Sequence, residues 1–355
     1  MSSALRILLL ADSRSFHTAR YVHELNRVGC EVLLASLEDG PIEHHSLRRK
    51  GPLKFLHYPL AAAEVSRLVR VFKPDIINPH FASGYGFLAA LAARLERRPI
   101  LLHLWGSDIL IAPQKSFLHR RKTRLALETA DFVVGDSDYL IDEAAKIGRL
   151  RRRRTVPWGI EREFLSYFRT DNNWEAPLKI IVPRPHEPIY NNRFIVRALS
   201  ELIRDGRIEI VFPGWGSETS RFVNTTVDLT GKRPTLYQPL PRPVYLRFAT
   251  GHHLYLSAAK SDSSPASLLE AMGLGLIPVA GDIPGVREWL TPDSGYLFDL
   301  ADESTLFDMV SGLLENDQSH ELMRQTNREK VAQKAVFEDN IAATISIMRA
   351  LVSEK

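Results

Sequence analysis

Twice along the chain, short apolar runs alternate with stretches of helical periodicity. This double alternation limits the fold more than any other feature of the sequence. In the first half the apolar runs are 6–11, 31–37, 75–81, 100–105, 132–135 and 154–157, with helical stretches near 17–28, 62–72, 84–95, 119–130 and 138–147. A second series starts at Lys179, with apolar runs at 179–183, 208–212, 235–238, 253–256, 277–280 and 296–298. Such spacing predicts parallel sheets covered by helices on both faces, whose ligands sit beyond the carboxyl ends of the strands. The expectation is an α/β chain of two doubly wound, Rossmann-like domains. They cover 1–175 and 176–338, divided where Asp171-Asn172-Asn173 dilutes the pattern, and a last helix runs from 339 to 355. A length of 355 residues accommodates both.

The residues that follow each strand carry the chemistry. The stretch from Ser257 to Glu288 places Asp262 in a loop, Pro265 at the start of a helix over 266–273, and Glu270 eight positions after Asp262. Proline suits the first helical turn, where its missing N–H costs nothing, and Ser263 or Ser264 then reads as the N-cap. The free amides of that helix, around Ser264, Pro265 and Ala266, form an anion site. After the first strand come Arg14, Ser15 and His17, with no G-x-G-x-x-G, so a dinucleotide fingerprint is absent. Ser15 reads equally well as an N-cap in a solvated loop. His80 stands at the end of the strand at 75–81. His103 and Trp105 share a face of the next strand, with Asp108 in the loop beyond. His103 and Asp108 read either as substrate-side groups or as a buried hydrogen-bonded pair that holds the loop. In Asp136-Ser137-Asp138 the serine reads as a helix N-cap with Asp138 in the first turn, so no metal site is assigned there.

The pattern from Asp262 through Glu270, Ala271-Met272, Gly273 and the Pro278-Val279 strand resembles the signature of glycosyltransferase family 4. In that family the first acid is usually glutamate. The resemblance extends over nearly the whole chain and implies the GT-B fold and a retaining, metal-independent transfer from a nucleotide-diphosphate sugar. No further cofactor is implied. It places the last helix back on the first domain and makes Glu270 the ribose ligand and Asp262 a ligand of the donor sugar. It implies sugar or acceptor contact at His80 and diphosphate contact at Arg184. The lysine that usually follows six positions later is Tyr190 here, and Arg193 is its candidate replacement, with a guanidinium fork suited to phosphate oxygens. The glycines of Pro213-Gly214-Trp215-Gly216 resemble the loop beneath the nucleotide. Arg14, Ser15, His17, His103 and Asp108 are the acceptor-side candidates. Other readings of the same pattern are a non-catalytic nucleotide-sugar-binding module and a GT-B epimerase. A phosphorylase would need a lysine context for pyridoxal phosphate that the sequence does not offer.

Composition narrows partners and place. A net charge of +4 gives no reason to expect nucleic acid. The one cysteine, Cys30, fits a reducing compartment, no apolar run is long enough to span a membrane, and the N-terminus reads as a first strand and not as a leader. A cytoplasmic protein is expected, with a glycan or lipid-linked acceptor implied by the resemblance. The basic residues Arg151–Arg154 with Arg120, Arg121, Lys122 and Arg124 form either a solvated charge run or a face for peripheral contact with anionic lipid at the inner membrane surface.

Overall fold

The computed structural model describes residues 4–47, 57–169, 177–315 and 320–354. The chain divides into two units, 1–157 with 338–355, and 158–337.

In the first unit the strands are β1 (Arg6–Leu10), β2 (Glu31–Ser36), β3 (His45–Ser46), β4 (Ile76–Pro79), β5 (Leu101–His103), β6 (Phe132–Gly135) and β7 (Arg153–Thr155). All pairings are parallel. Two sheets, β3-β2-β1-β4 and β5-β6-β7, are joined by the bridges Ile77–Ile100 and His80–His103. The order is therefore 3-2-1-4-5-6-7. Ile7 to Leu10 are all buried, as a strand covered on both faces requires. Leu8, Ile77, Leu102 and Val133 carry one core across the sheet.

In the second unit β8 (Leu178–Ile181), β9 (Ile208–Pro213), β10 (Thr235–Tyr237), β11 (Leu254–Ser257), β12 (Ile277–Gly281) and β13 (Tyr296–Phe298) form one parallel sheet in the order β10-β9-β8-β11-β12-β13. Side chains alternate between two cores. Ile180, Leu254, Leu256 and Val279 enter one, while Ile181, Tyr255 and Ala280 enter the other. The helix Asn192–Arg204 shows why a surface helix forms here: Phe194, Ile195, Ala198, Leu199 and Leu202 make one apolar face.

Each unit thus repeats the 3-2-1-4 reversal, which opens a crevice between its first and fourth strands. In the first unit this lies beyond β1 and β4, in the second beyond β8 and β11.

The boundary expected near 175 lies outside the described residues, and the units divide earlier, at Pro157. Residues after it already belong to the second unit. Ile160 N–H donates to Ala335 O at 2.9 Å, and Phe337 N–H donates to Ile160 O at 2.7 Å. Phe164, in the 3-10 segment Arg162–Tyr167, is buried in the same core as Leu268 and Met272. Glu161 pairs with Arg242. The last helix, Phe337–Ser353, gives residues 338 onward to the first unit, where Ile345, Met348 and Leu351 are buried. No described helix is long and apolar enough to cross a membrane.

Candidate active site

At the crevice of the second unit the loops after β8 and β11 are tied together by Lys260 N–H donating to Ile189 O at 2.9 Å. Across this tie Arg184 and Asp262, 78 positions apart, form an ion pair. Both are largely shielded, with side chains 12% and 21% exposed. Burial works against the charge of Arg184, but Asp262 beside it more than offsets this, and the guanidinium pKa rises. The Arg184 Cζ also lies 4.8 Å over the Tyr190 ring, a cation–π contact that further steadies the cation. Asp262 Oδ1 accepts the Ser263 amide at 3.0 Å. The two residues expected to serve phosphate and sugar separately are therefore one charge-balanced pair.

The helix after this loop runs from Ala266 to Leu274 with Pro265 at its N-cap position, which supplies no side-chain cap. The N-cap position expected for Ser263 or Ser264 is held by Pro265. Ser264 Oγ instead accepts the Trp289 indole N–H at 3.0 Å, because a buried indole must find an acceptor. Ala266 and the amides behind it begin the helix beside Asp262, so the anion-favouring end of the helix dipole lies at this loop. Gly285 lets the next short helix approach. A Cβ there would stand 2.3 Å from Ser263 O. Glu270 is half-buried one helical turn on. Burial first, and the Glu270 carboxylate second, push the hydroxyls of Tyr237 and Tyr245 up, which places all three groups together.

Arg193 shares the acid Glu218, at 3.8 Å, with Arg221, at 3.6 Å, and it lines a small pocket with His186, Asn191 and Lys260. The glycines after β9 serve loop packing. Gly216 has φ +131°, and a Cβ on it would stand 2.3 Å from His186 N. Gly214 meets Gln238 Nε2, 2.5 Å from where its Cβ would be. Asn192, whose amide donates to Arg184 O at 2.9 Å, and the Tyr190 ring support Arg184 from below. Sequence reasoning gave neither this role; a polar residue in the first turn of an otherwise apolar helix face was the available signal for Asn192.

At the crevice of the first unit three of the separately identified histidines meet. The His80 ring lies 4.9 Å from His103 and 5.4 Å from Trp105, and His17 lies 5.4 Å from Trp105. Phe81 stacks parallel to Trp105 at 5.4 Å. It does so with φ +66°, a left-handed backbone that a bulky residue adopts only when its surroundings impose it. The six residues from Phe81 form a π-helical turn. Tyr21 O–H donates to Asn78 Oδ1 at 2.9 Å, and Asn78 Nδ2 donates to Leu101 O at 2.7 Å and to His103 Nδ1 at 3.0 Å. With Nδ1 accepting, His103 is a neutral ring with its proton on Nε2. Burial lowers the His103 pKa to about 3. Burial, with His103 second, holds His80 well below the ordinary histidine value.

The buried His103–Asp108 bond weighed from the sequence is absent. Asp108 instead accepts the amides of Ala82 at 2.6 Å and Trp105 at 2.9 Å, one on each carboxylate oxygen, and so braces the loops after β4 and β5. Burial pushes its pKa up to about 6 against those two hydrogen bonds. Arg14 is exposed and faces Asp12 at 2.9 Å and Glu38 at 3.6 Å, so it does not join the histidines. Ser15 holds the N-cap position of the helix Phe16–Arg27 with extended backbone and makes no side-chain cap bond. Ser137 does cap its helix, accepting Leu140 N–H at 3.1 Å, and Asp138 follows in the first turn.

Residues 6–137 match the family model described as glycosyl transferase 4-like. The chain is 23% identical over 289 residues to N-acetyl-alpha-D-glucosaminyl L-malate synthase of Bacillus anthracis, covering 78% of this chain and 75% of that protein. It is 25% identical over 248 residues to a putative teichuronic acid biosynthesis glycosyltransferase of Bacillus subtilis, covering 66% of this chain and 61% of the relative. The solved structure of Anabaena HepE in complex with UDP and glucose superposes with a TM-score of 0.75 at 18% identity, covering 96% of this chain and 99% of that one. The two units with their repeated parallel sheets have the GT-B fold, and the chain is similar to glycosyltransferase 4-like proteins, by the family model over residues 6–137 and by these relatives over most of its length.

Proposed function

We propose that this glycosyltransferase moves a sugar, with retention of configuration and without a metal, from a nucleotide-diphosphate sugar to a glycan, lipid-linked or small-molecule acceptor. The observation that carries the reading is the Arg184–Asp262 pair set beside a helix start at the crevice of the second unit. A leaving diphosphate gains negative charge as the glycosidic C–O bond breaks. Arg184, Arg193 and the helix amides supply positive charge for it. Glu270 accepts the ribose diol, since a carboxylate can take two hydroxyl hydrogen bonds. Asp262 takes donor-sugar hydroxyls once the diphosphate draws Arg184 toward itself. The acceptor oxygen bonds to the anomeric carbon on the face the diphosphate leaves, and its proton passes to a phosphate oxygen of the leaving group. The histidine and tryptophan cluster of the first unit is assigned to sugar or acceptor contact. A uridine nucleotide is the first donor to try, because HepE was solved with UDP and glucose.

The proposed setting is cytoplasmic, with peripheral contact to anionic lipid. Its support is the helix Phe117–Thr129, where Phe117 and Leu118, 71% and 68% exposed, precede Arg120, Arg121 and Lys122. Exposed apolar residues next to cations suit a headgroup boundary. Arg151, Arg152 and Arg124 contribute less to such a face, being paired with Asp131, Glu354 and Glu128.

Turnover of a UDP-sugar by Asp262→Asn and UDP affinity of Glu270→Gln test the assignment. We expect Asp262→Asn to lose turnover with UDP affinity nearly unchanged, and Glu270→Gln to bind UDP more weakly. Full activity of Asp262→Asn would overturn it, and an inverted anomeric product would overturn retention.

A further inference from the structure

Two arginine-rich stretches have no place in the transfer reaction: Arg94, Arg97 and Arg98 before β5, and Arg151 before β7. They converge on one cavity in the first unit. It lies where β5, β6 and β7 begin, at the sheet edge opposite the ends that carry His80, His103 and Trp105. Its floor is apolar, from Ala90, Ala93 and Ile100.

The charges around it do not balance. Two carboxylates, Glu128 and Asp131, line the cavity with the four arginines. Glu128 is already engaged by Arg124 from outside it, at 2.7 Å. Asp131 spends Oδ2 on the Ile100 amide at 3.0 Å and turns Oδ1 to Arg151 at 3.1 Å and Arg97 at 4.0 Å. Four guanidinium ions thus outnumber the two carboxylates around the cavity, one of which is already engaged from outside. Those ions are partly held in place. Arg98 donates to Pro74 O at 3.0 Å and to Arg97 O at 3.2 Å, and Asp131 fixes Arg151. Clustered like charge around a concave apolar floor raises the local concentration of anions. Guanidinium forks match the oxygens of a phosphate group two at a time.

We propose that this cavity is a second ligand site that takes a phosphate monoester, with the phosphate held by Arg94, Arg97, Arg98 and Arg151 and the ester carbon skeleton on Ala90, Ala93 and Ile100. The phosphate belongs either to a soluble ester or to a lipid headgroup. The site is separate from the residues assigned to donor and acceptor and stands or falls independently of them.

The test uses the full chain at low salt, with two probes. Glycerol 3-phosphate is titrated by calorimetry, and flotation is measured with phosphatidylcholine vesicles with and without phosphatidic acid. Four proteins are compared: wild type, Arg94→Ala/Arg98→Ala, Arg94→Lys/Arg98→Lys and Arg184→Ala. Wild type should bind at least one probe. The alanine pair should weaken that binding about ten- to a hundredfold while keeping UDP affinity. The lysine pair, which keeps charge but loses the forks, should fall between. Arg184→Ala should bind the probe as wild type does. Binding of glycerol 3-phosphate identifies a soluble ester, and flotation alone identifies a headgroup. The proposal is overturned if wild type binds neither probe, if the alanine and lysine pairs bind as wild type does, or if Arg184→Ala alone abolishes binding, which would locate the ester at the donor site.

Discussion

The two crevices occupy the same topological position in two sheets of the same strand order, yet they are built from opposite electrostatics. Beyond β8 and β11 stand full charges, among them Arg184 paired with Asp262 and Arg193 near Glu218. Beyond β1 and β4 stand rings, and the ionisable groups among them are held neutral or raised by burial. Strand order decides where a ligand can sit, and side chains decide what it can be. The charged crevice suits a leaving diphosphate. The ring-lined one suits a sugar or another uncharged surface, which stacks on aromatic faces and is not attracted by net charge.

The largest effect that would break this contrast is expected at Arg184. Arg184→Ala should cost about 1.5–3 kcal/mol of UDP affinity and much less of uridine affinity, both by calorimetry. Equal losses for the two ligands would mean that the arginine only holds the loops.

The neutral crevice should announce itself in acid. His103 titrates near 3 in the fold and near 6.5 when unfolded, and His80 is lowered too. The unfolded chain therefore takes up protons first, and stability falls as pH drops from about 6.5 toward 3. Each pH unit of such a window is worth roughly 1.4 kcal/mol per group. Asp108 acts in the opposite sense. Its pKa is about 6 in the fold against 3.8 as the ordinary value, so the fold takes up its proton first and gains stability as pH falls across that interval. Denaturant midpoints between pH 7 and pH 4 should drop less in His103→Gln than in wild type and more in Asp108→Asn. Parallel curves for all three proteins would remove the electrostatic half of the comparison.

The smallest effect should come from Tyr190, the aromatic ring that faces Arg184 in the charged crevice. Tyr190→Leu should reduce UDP affinity by about 0.5–1 kcal/mol, the range of a partly exposed cation–π contact. A loss as large as that of Arg184→Ala would show that the ring, not the charge, organises the site.

Much of this was legible in the residues because strand ends are legible. Apolar runs of three to seven residues stop at polar loops, and His80, His103, Arg184 and Asp262 each lie within a few residues of such a stop. Their pairing was not legible. Arg184 meets Asp262 across 78 positions, and nothing local announces a tertiary ion pair. Ser264 reads as a helix cap until the Trp289 indole, 25 residues on, claims its oxygen. The turn at Phe81–Gly86 has π geometry, whose wider ladder leaves no 3.6-residue pattern to find. The boundary was read too late because Trp158–Tyr167 has the look of a linker. Its Phe164 nonetheless fills the second core.

The path of the chain through the two units sets an order of assembly. Residues 158–337 are contiguous and carry all six strands of their own sheet. The first unit begins the chain but is completed only by residues 338 onward. During synthesis its seven strands are made before the helix that buries Ile345, Met348 and Leu351 exists. The unit made second can therefore finish first. The unit made first must wait until residues 338 onward have left the ribosome.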